Sequence, residues 1–175
     1  MPDVDVTTET TIRCPRGVVA EYATNPEHAP RWYANIERVE WRSPPPVAVG
    51  SRIAFVAEFL GRRLAYTYEV VELVAGERLV MRTSEGPFPM ETTCTWAPVD
   101  ASTTRMTLRN RGRPSGFSAL MAPLMATMMR RANRADLACL KRVLEAGARS
   151  ALEEGSKRAS VVHMPSDDQV KGPAS

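Results

Sequence analysis

Apolar and polar residues alternate along the first part of this chain, a pattern typical of β-strands with one wet face. From Val4 to Ile12 every second side chain is a valine, threonine or isoleucine, which predicts a first strand. Pro15 suits the first turn of a helix, and an apolar stripe follows it. Because a proline forces the preceding residue out of the helical region, Asn25-Pro26 ends this helix, and we expect a second short helix over Glu27–Tyr33.

The same alternation returns several times before the period changes. The predicted strands cover residues 36–41, 52–60, 64–73, 79–84, 89–96 and 103–111. Short turns join the last five of these strands, beginning with a tight reversal at Gly61-Arg62. Neighbouring strands should therefore pair antiparallel, as a meander.

A helical period begins after the turn at residues 112–116. Apolar residues then recur at steps of three and four from Phe117 to Leu144, which predicts a long helix over about 115–152. Pro123 falls in its early turns, where we expect a kink or a false start. Because the chain beyond is polar, we predict one domain over residues 1–152 and a disordered tail over residues 153–175.

Each predicted strand has one apolar face and one charged face. Ile53, Phe55 and Ala57, for example, alternate with Arg52 and Glu58. A sheet that is wet on one side requires this division, and the long helix carries an apolar stripe that would cover the inner face. The residues therefore predict an α+β fold: a curved antiparallel sheet around a long C-terminal helix, with two short helices after the first strand.

The inner face allows two interpretations. Its side chains are large and flexible, and a few of them are polar. Periodicity alone favours a plain core, because such stripes are usually core. Methionines and aromatics with isolated polar groups are also typical of an adaptable ligand pocket.

The order of elements and several short segments resemble a known family. The segments are Cys14-Pro15 with Val18 and Tyr22, Asn25-Pro26 then Trp32, Tyr68–Leu73 before Glu77–Val80, and Ser102–Leu108. Over about residues 3–150 the chain resembles the START-like superfamily, also called the Bet v 1-like or SRPBCC fold, and within it the bacterial polyketide cyclase/dehydrase-like group. The resemblance implies a helix-grip fold with a deep hydrophobic cavity between sheet and helix. Members bind lipids, sterols, polyketides, hormones or quinones, and some are cyclases, but the matching segments carry no catalytic signature.

Strand parity and helical spacing indicate which side chains would face such a cavity. The predicted ligand-binding residues are Trp32, Phe55, Phe59, Tyr66, Tyr68, Met81, Met90, Thr92, Cys94, Met106, Leu108, Asn110, Phe117, Met121 and Met125. The resemblance implies that Trp32 caps the cavity mouth; the alternative is that it anchors the short helices on the sheet. For Tyr66 and Tyr68, packing as amphipathic core residues is favoured over polarising a bound carbonyl.

The sequence contains none of the common catalytic motifs. It has no GxGxxG, phosphate loop, HExxH or GxSxG. His28 on a short surface helix is more often solvated than a base, and Cys94 lacks the electropositive setting of a reactive thiol. The three cysteines form no CxxC, which argues against a zinc site or a disulfide scaffold. We therefore expect no catalytic residue, no metal and no cofactor.

Composition and charge change this interpretation little. The 175 residues are 43% hydrophobic and 25% charged, as in an ordinary globular domain. Arg105, Arg109 and Arg111 share one outer face with glutamates and without interleaved aromatics, so we expect no nucleic-acid partner. The N-terminus has no signal-peptide pattern, and no apolar run reaches the ~20 residues of a membrane helix. We expect a cytoplasmic protein without a membrane span, and leave a homodimer open.

Three functions follow from these patterns. The leading hypothesis is a carrier or sensor that binds a small hydrophobic molecule of lipid, polyketide or aromatic type, because parity places no ionisable group in the cavity. The second is a polyketide cyclase or dehydratase, which would need an acid or base there. The third is a protein-interaction module in which helix and sheet close without a cavity. An inward ionisable group with a perturbed pKa would favour the second.

Overall fold

The computed structural model describes residues 4–59, 62–86, 89–113 and 122–161. The strands are β1 (Val4–Ile12), β2 (Ile36–Trp41), β3 (Arg52–Phe59), β4 (Arg62–Val74), β5 (Arg78–Glu85), β6 (Met90–Asp100) and β7 (Thr103–Gly112). Between β1 and β2 lie helix α1 (Arg16–Thr24), a 3-10 turn (Pro26–His28) and helix α2 (Ala29–Trp32). The long helix α3 (Ala122–Val161) follows β7.

The strands form one antiparallel sheet in the order β1-β7-β6-β5-β4-β3-β2. Sequential neighbours from β2 to β7 pair as a meander, and β1 closes onto β7, with Val4 opposite Gly112 and Ile12 opposite Thr104. The sheet curls around α3, so the predicted α+β helix-grip architecture is confirmed.

The second short helix differs in detail from its prediction. The side chain of Asn25 accepts a hydrogen bond from the backbone nitrogen of Glu27 (3.0 Å), so Pro26 begins a tighter 3-10 turn. Helix α2 is a single turn, Ala29–Trp32, and contains Pro30 at a position where a helix accepts proline. The chain leaves this turn at Tyr33 in an extended conformation.

Helix α3 continues beyond the predicted end of the domain. It reaches Val161, whereas the sequence placed the helix end and the start of the tail near residue 152. Glu153 and Glu154 are good helix formers, so the backbone stays helical after the apolar stripe ends. Pro123 is the second residue of α3, a position where a helix accepts proline. The residues before Ala122, where a false start would fall, lie outside the described residues. Residues 162–175 lie outside the described residues, and their predicted disorder stays a prediction.

Two groups of buried side chains hold α3 against the sheet. Around its middle, Leu137, Leu140 and Leu144 pack into the main core with residues of β1, β3–β7 and the short helices. Nearer its start, Met125 and Met129 pack against the smaller group that contains Val4 and Val6. The helix therefore fills the concave face near Leu140 but meets only its edge near Met125.

Arginines and carboxylates share the outer face of the sheet. Glu91 pairs with Arg82 (2.8 Å) and Arg111 (4.0 Å), and Asp5 pairs with Arg109 and Arg111. The hydrogen bond from Arg109 holds the pKa of Asp5 below its usual value. This mixture of charges agrees with a solvated outer face, and the absence of nucleic-acid binding stays a prediction.

Within the described ranges, no helix combines the length and apolar character that crossing a membrane requires.

Candidate functional site

A cavity of about 730 Å³ lies between the first half of α3 and the concave face of the sheet. Strands β3 to β7 supply one wall, the segment at residues 33–36 supplies a second, and α3 supplies the third. Most of the lining is aromatic, aliphatic or methionine side chain. The concave side of this fold is therefore not a filled core along its whole length.

Eight of the fifteen predicted ligand-binding residues line this cavity. They are Phe55, Tyr66, Tyr68, Met81, Met90, Thr92, Asn110 and Met125. Phe117 and Met121 lie outside the described residues, as does the side chain of Phe59. Contact of any of these residues with a ligand stays a prediction.

The remaining four predicted residues do not line the cavity. Trp32, Cys94, Met106 and Leu108 are buried in the main core, where the middle of α3 packs on the sheet. Parity assigns the strand residues to the inner face, but it does not say how far each lies from the place where α3 packs on the sheet. Trp32 is 2% exposed and stacks on Tyr33 with ring centroids 3.7 Å apart.

The cavity also contains polar groups that the apolar stripe does not reveal. Asn133 and Asp136 on α3 line it and are only 4% and 5% exposed. They follow Met129 by four and seven residues, so extending the stripe through polar positions would have found them. Tyr33 lines the cavity in place of its neighbour Trp32.

A chain of hydrogen bonds crosses from the sheet to α3 and ends at Asn133. The Thr92 hydroxyl donates to Oδ1 of Asn110 (2.7 Å). Nδ2 of Asn110 donates to Oδ1 of Asn133 (3.1 Å). Nδ2 of Asn133 is buried and has no hydrogen-bond partner among the described residues.

Asp136 is a buried carboxyl group at the same wall. Its Oδ1 accepts a hydrogen bond from the backbone nitrogen of Ala34 (2.9 Å). In the described part of the chain, no arginine or lysine forms an ion pair with it, and loss of hydration raises its pKa to about 6. The carboxyl group can therefore both hold and release a proton near neutral pH.

The buried tyrosines and the Cys94 thiol near the cavity remain neutral. Burial raises the pKa of Tyr33 well above its usual value, and nearby Cys94, Asp136 and Tyr68 raise it further. Burial raises the pKa of Tyr68 to about 12, and that of the Cys94 thiol to about 12. Cys94 is thus an inert core thiol, and the tyrosines act as neutral hydrogen-bonding groups.

The site combines apolar walls with one polar edge. The walls can enclose an apolar molecule, Asn133 and Asp136 can orient it, and Asp136 can exchange a proton with it. Among residues 4–59, 62–86, 89–113 and 122–161, no three His, Cys, Asp or Glu side chains lie together as a metal site would require. The polar edge corrects the expectation that no ionisable group enters the cavity.

Fold and cavity together define a helix-grip protein of the START-like superfamily. The model of the family described as "Polyketide cyclase / dehydrase and lipid transport" matches residues 3–145. The chain belongs to this family, which confirms the resemblance found in the sequence. In sequence comparison, no curated protein matches the chain.

Solved structures share this fold at low sequence identity. TTHA0849 from Thermus thermophilus is 24% identical with a TM-score of 0.69, over 81% of this chain and 98% of that one. The Zhui aromatase/cyclase from a Streptomyces species is 21% identical with a TM-score of 0.69, over 85% and 98%. A START superfamily protein from Mycobacterium smegmatis is 13% identical with a TM-score of 0.62, over 84% and 98%. At these identities the likeness concerns the fold.

Proposed function

We propose that this protein binds a small, largely apolar molecule in the cavity between α3 and the sheet. The observation that carries the proposal is the cavity itself. Its volume of about 730 Å³ lies within the roughly 300–1,000 Å³ of small-molecule sites. Membership of a family described by both cyclase chemistry and lipid transport supports the same conclusion.

The methionines of the wall support a ligand-binding role. Met81, Met90, Met125, Met128 and Met129 line the cavity. Methionine side chains are unbranched and polarisable, so they adapt to ligands of different outline. Moving apolar ligand surface from water to this wall is favourable, and the few polar groups would fix the orientation of the ligand.

The test uses a tryptophan placed inside the cavity. Binding of the neutral fluorescent probe N-phenyl-1-naphthylamine is measured with wild type and with Met125→Trp. Leu124→Trp is the matched control, because Leu124 is 50% exposed and does not line the cavity. We expect saturable binding by wild type and the control, and at least tenfold weaker binding by Met125→Trp at an unchanged unfolding midpoint.

A filled concave side would give the opposite pattern. The wild type would then bind no probe, and Met125→Trp would lose ~1–3 kcal/mol of stability through over-packing. That result would support the interaction-module alternative, which requires helix and sheet to close without a cavity.

A cyclase or dehydratase is the second candidate, and Asp136 is the observation that favours it. General acid–base catalysis works best when the pKa lies near the working pH, and the pKa of Asp136 is about 6. Its carboxylate would take a proton from the carbon beside a ligand carbonyl. The carboxylic acid so formed would return the proton to a β-hydroxyl group, which leaves as water.

This second function has its own assay. The protein is incubated with 4-hydroxy-4-phenylbutan-2-one, and the conjugated enone formed by loss of water is followed by absorbance. An enzyme would accelerate this reaction, and Asp136→Asn would abolish the acceleration while still binding N-phenyl-1-naphthylamine. Equal rates with wild type, Asp136→Asn and buffer would favour the carrier or sensor function.

A further inference from the structure

We propose that Asn133 and Asp136 form a hydrogen-bonding subsite that selects neutral, rigid ligands with a carbonyl acceptor and a hydroxyl donor on one edge. The inference rests on the proposed function, since it names the ligand class for the same cavity. It departs from a general lipid-binding role, because it gives the cavity a polar edge with a defined pattern of donors and acceptors.

Asn133 supplies the donor of this subsite. Its Oδ1 is already occupied by Nδ2 of Asn110, which fixes the amide so that its own Nδ2 is the free end. That nitrogen has no partner among the described residues, although the residue is only 4% exposed. The nitrogen has almost no accessible surface in this structure, so a ligand acceptor reaches it through a small shift of the cavity wall. Because a buried donor without a partner is costly, an acceptor that reaches it gains more than an exposed hydrogen bond would give.

Asp136 supplies the acceptor. The backbone nitrogen of Ala34 occupies Oδ1, and no described residue donates to the other carboxylate oxygen. The charged groups along this wall are few: Tyr33 is neutral, and Arg131 lines the cavity as an exposed residue. A ligand hydroxyl that donates to the carboxylate would form a charge-assisted hydrogen bond away from bulk water.

The spacing of the two residues determines the ligand pattern. Positions i and i+3 of a helix are neighbours, with about 5–6 Å between their Cβ atoms. The matching ligand groups are therefore a carbonyl and a hydroxyl in a 1,3 relation on an aromatic ring. Ortho groups would hydrogen-bond to each other. A simple acyl chain, in contrast, would leave both Asn133 and Asp136 without partners.

The experiment measures competition with N-phenyl-1-naphthylamine at pH 7. One ligand pair, 2-hydroxyanthraquinone and 2-methoxyanthraquinone, differs in the hydroxyl group that would donate a hydrogen bond to Asp136. A second pair, 2-hydroxyanthraquinone and 2-hydroxyanthracene, differs in the carbonyl group that would accept a hydrogen bond from Asn133. The proteins are wild type, Asp136→Asn, Asn133→Leu and the control Arg134→Gln, whose side chain is exposed beside the subsite and does not line the cavity.

We expect wild type and Arg134→Gln to prefer 2-hydroxyanthraquinone about tenfold over each partner compound. In Asp136→Asn the Ala34 nitrogen still requires Oδ1, so the amide NH₂ faces the cavity and the preference over the methoxy compound disappears or reverses. Asn133→Leu should lose the preference over 2-hydroxyanthracene. If this variant does not fold, the Asp136→Asn arm decides.

Two further outcomes distinguish failure of the subsite from failure of the proposed function. If wild type binds the probe and all three compounds compete equally, or if neither variant changes its preference, the subsite is refuted while the cavity function stands. If wild type binds neither the probe nor any compound, the proposed function itself has failed.

Discussion

Asp136 places an ionisable group in a largely apolar wall, and its pKa of about 6 reflects the lost hydration of its charge. One hydrogen bond from Ala34 offsets only part of this loss, since burial remains the dominant cause of the shift. A carboxyl group in this setting is unfavourable for folding. Such a group is typical of sites where chemistry or recognition requires it.

The burial of Asp136 has a measurable consequence for stability. Its pKa is raised from 3.8 to about 6 on folding, so the folded state holds the proton more tightly than the unfolded state. The contribution of Asp136 to the free energy of unfolding therefore falls as pH rises from 3.8 through about 6. The loss is about 2 kcal/mol between pH 4.5 and 7.5. Asp136→Asn removes the titration, whereas the shifts of Asp5 and Glu145, which have the opposite sign, remain in both proteins.

The measurement is urea unfolding of wild type and Asp136→Asn at pH 4.5, 6.0 and 7.5. The stability of wild type minus that of the variant should decline by about 2 kcal/mol across the series. Tyr33 would not mask the trend, because burial raises its pKa well above its usual value. A difference that stays constant with pH would show that the carboxyl group is hydrated in the folded protein.

At the residue scale the sequence was a partial guide to the site. Period-two alternation placed Thr92 and Asn110 on the inner face, and both line the cavity. It could not reveal that Asn110 donates a hydrogen bond to Asn133, because that contact joins residues 23 positions apart on different elements. The buried carboxyl group escaped prediction because an aspartate among helix arginines is ordinarily solvated.

At the scale of elements, α3 combines two functions along one stripe. Around its middle, α3 closes the core, with Leu137 and Leu140 no more than 1% exposed. Nearer its start, it borders the cavity with methionines. Helical spacing predicts a common face for all these residues, but the point at which the helix leaves the sheet depends on sheet curvature, which the sequence does not display.

Shortening a side chain should have different effects in the core-facing and the cavity-facing parts of α3. Leu140→Ala removes a side chain from a closely packed core and should cost ~2–5 kcal/mol of stability. Met129→Ala removes a side chain that is partly exposed and borders an existing cavity, so it should cost clearly less. Unfolding midpoints in denaturant compare the two variants. Equal losses would indicate that the helix is packed uniformly and that the cavity is not maintained in solution.

The strands were the most predictable elements. Alternation and short turns predicted all of the described strands to within a few residues. The C-terminal end of α3, in contrast, lies beyond its predicted position. Turn residues such as Gly50 and Gly76, with φ of 86° and 73°, mark reversals that the sequence shows directly. Helix ends carry weaker signals, because exposed helix formers can continue a helix after its contacts end.

At the scale of the whole molecule, a curled seven-stranded sheet and one long helix leave a cavity that neither element has alone. Local patterns predict each element, while the cavity depends on how far apart the elements stay. The family description names both cyclase chemistry and lipid transport, and the cavity agrees with either. Under our proposal, the polar edge at Asn133 and Asp136 is the feature that would distinguish between these ligand classes.

Methionine methyl groups offer the most direct test of the central claim that the cavity binds a small molecule. The chain has nine methionines. Of those that the structure describes, five line the cavity, while Met106 is fully buried in the core. In protein labelled with ¹³C at the methionine methyl groups, NMR spectra are recorded during titration with 2-hydroxyanthraquinone. We predict saturable shifts and ligand contacts at Met81, Met90, Met125, Met128 and Met129, with the Met106 signal unchanged. Unchanged cavity methyl signals at saturating ligand would contradict the account.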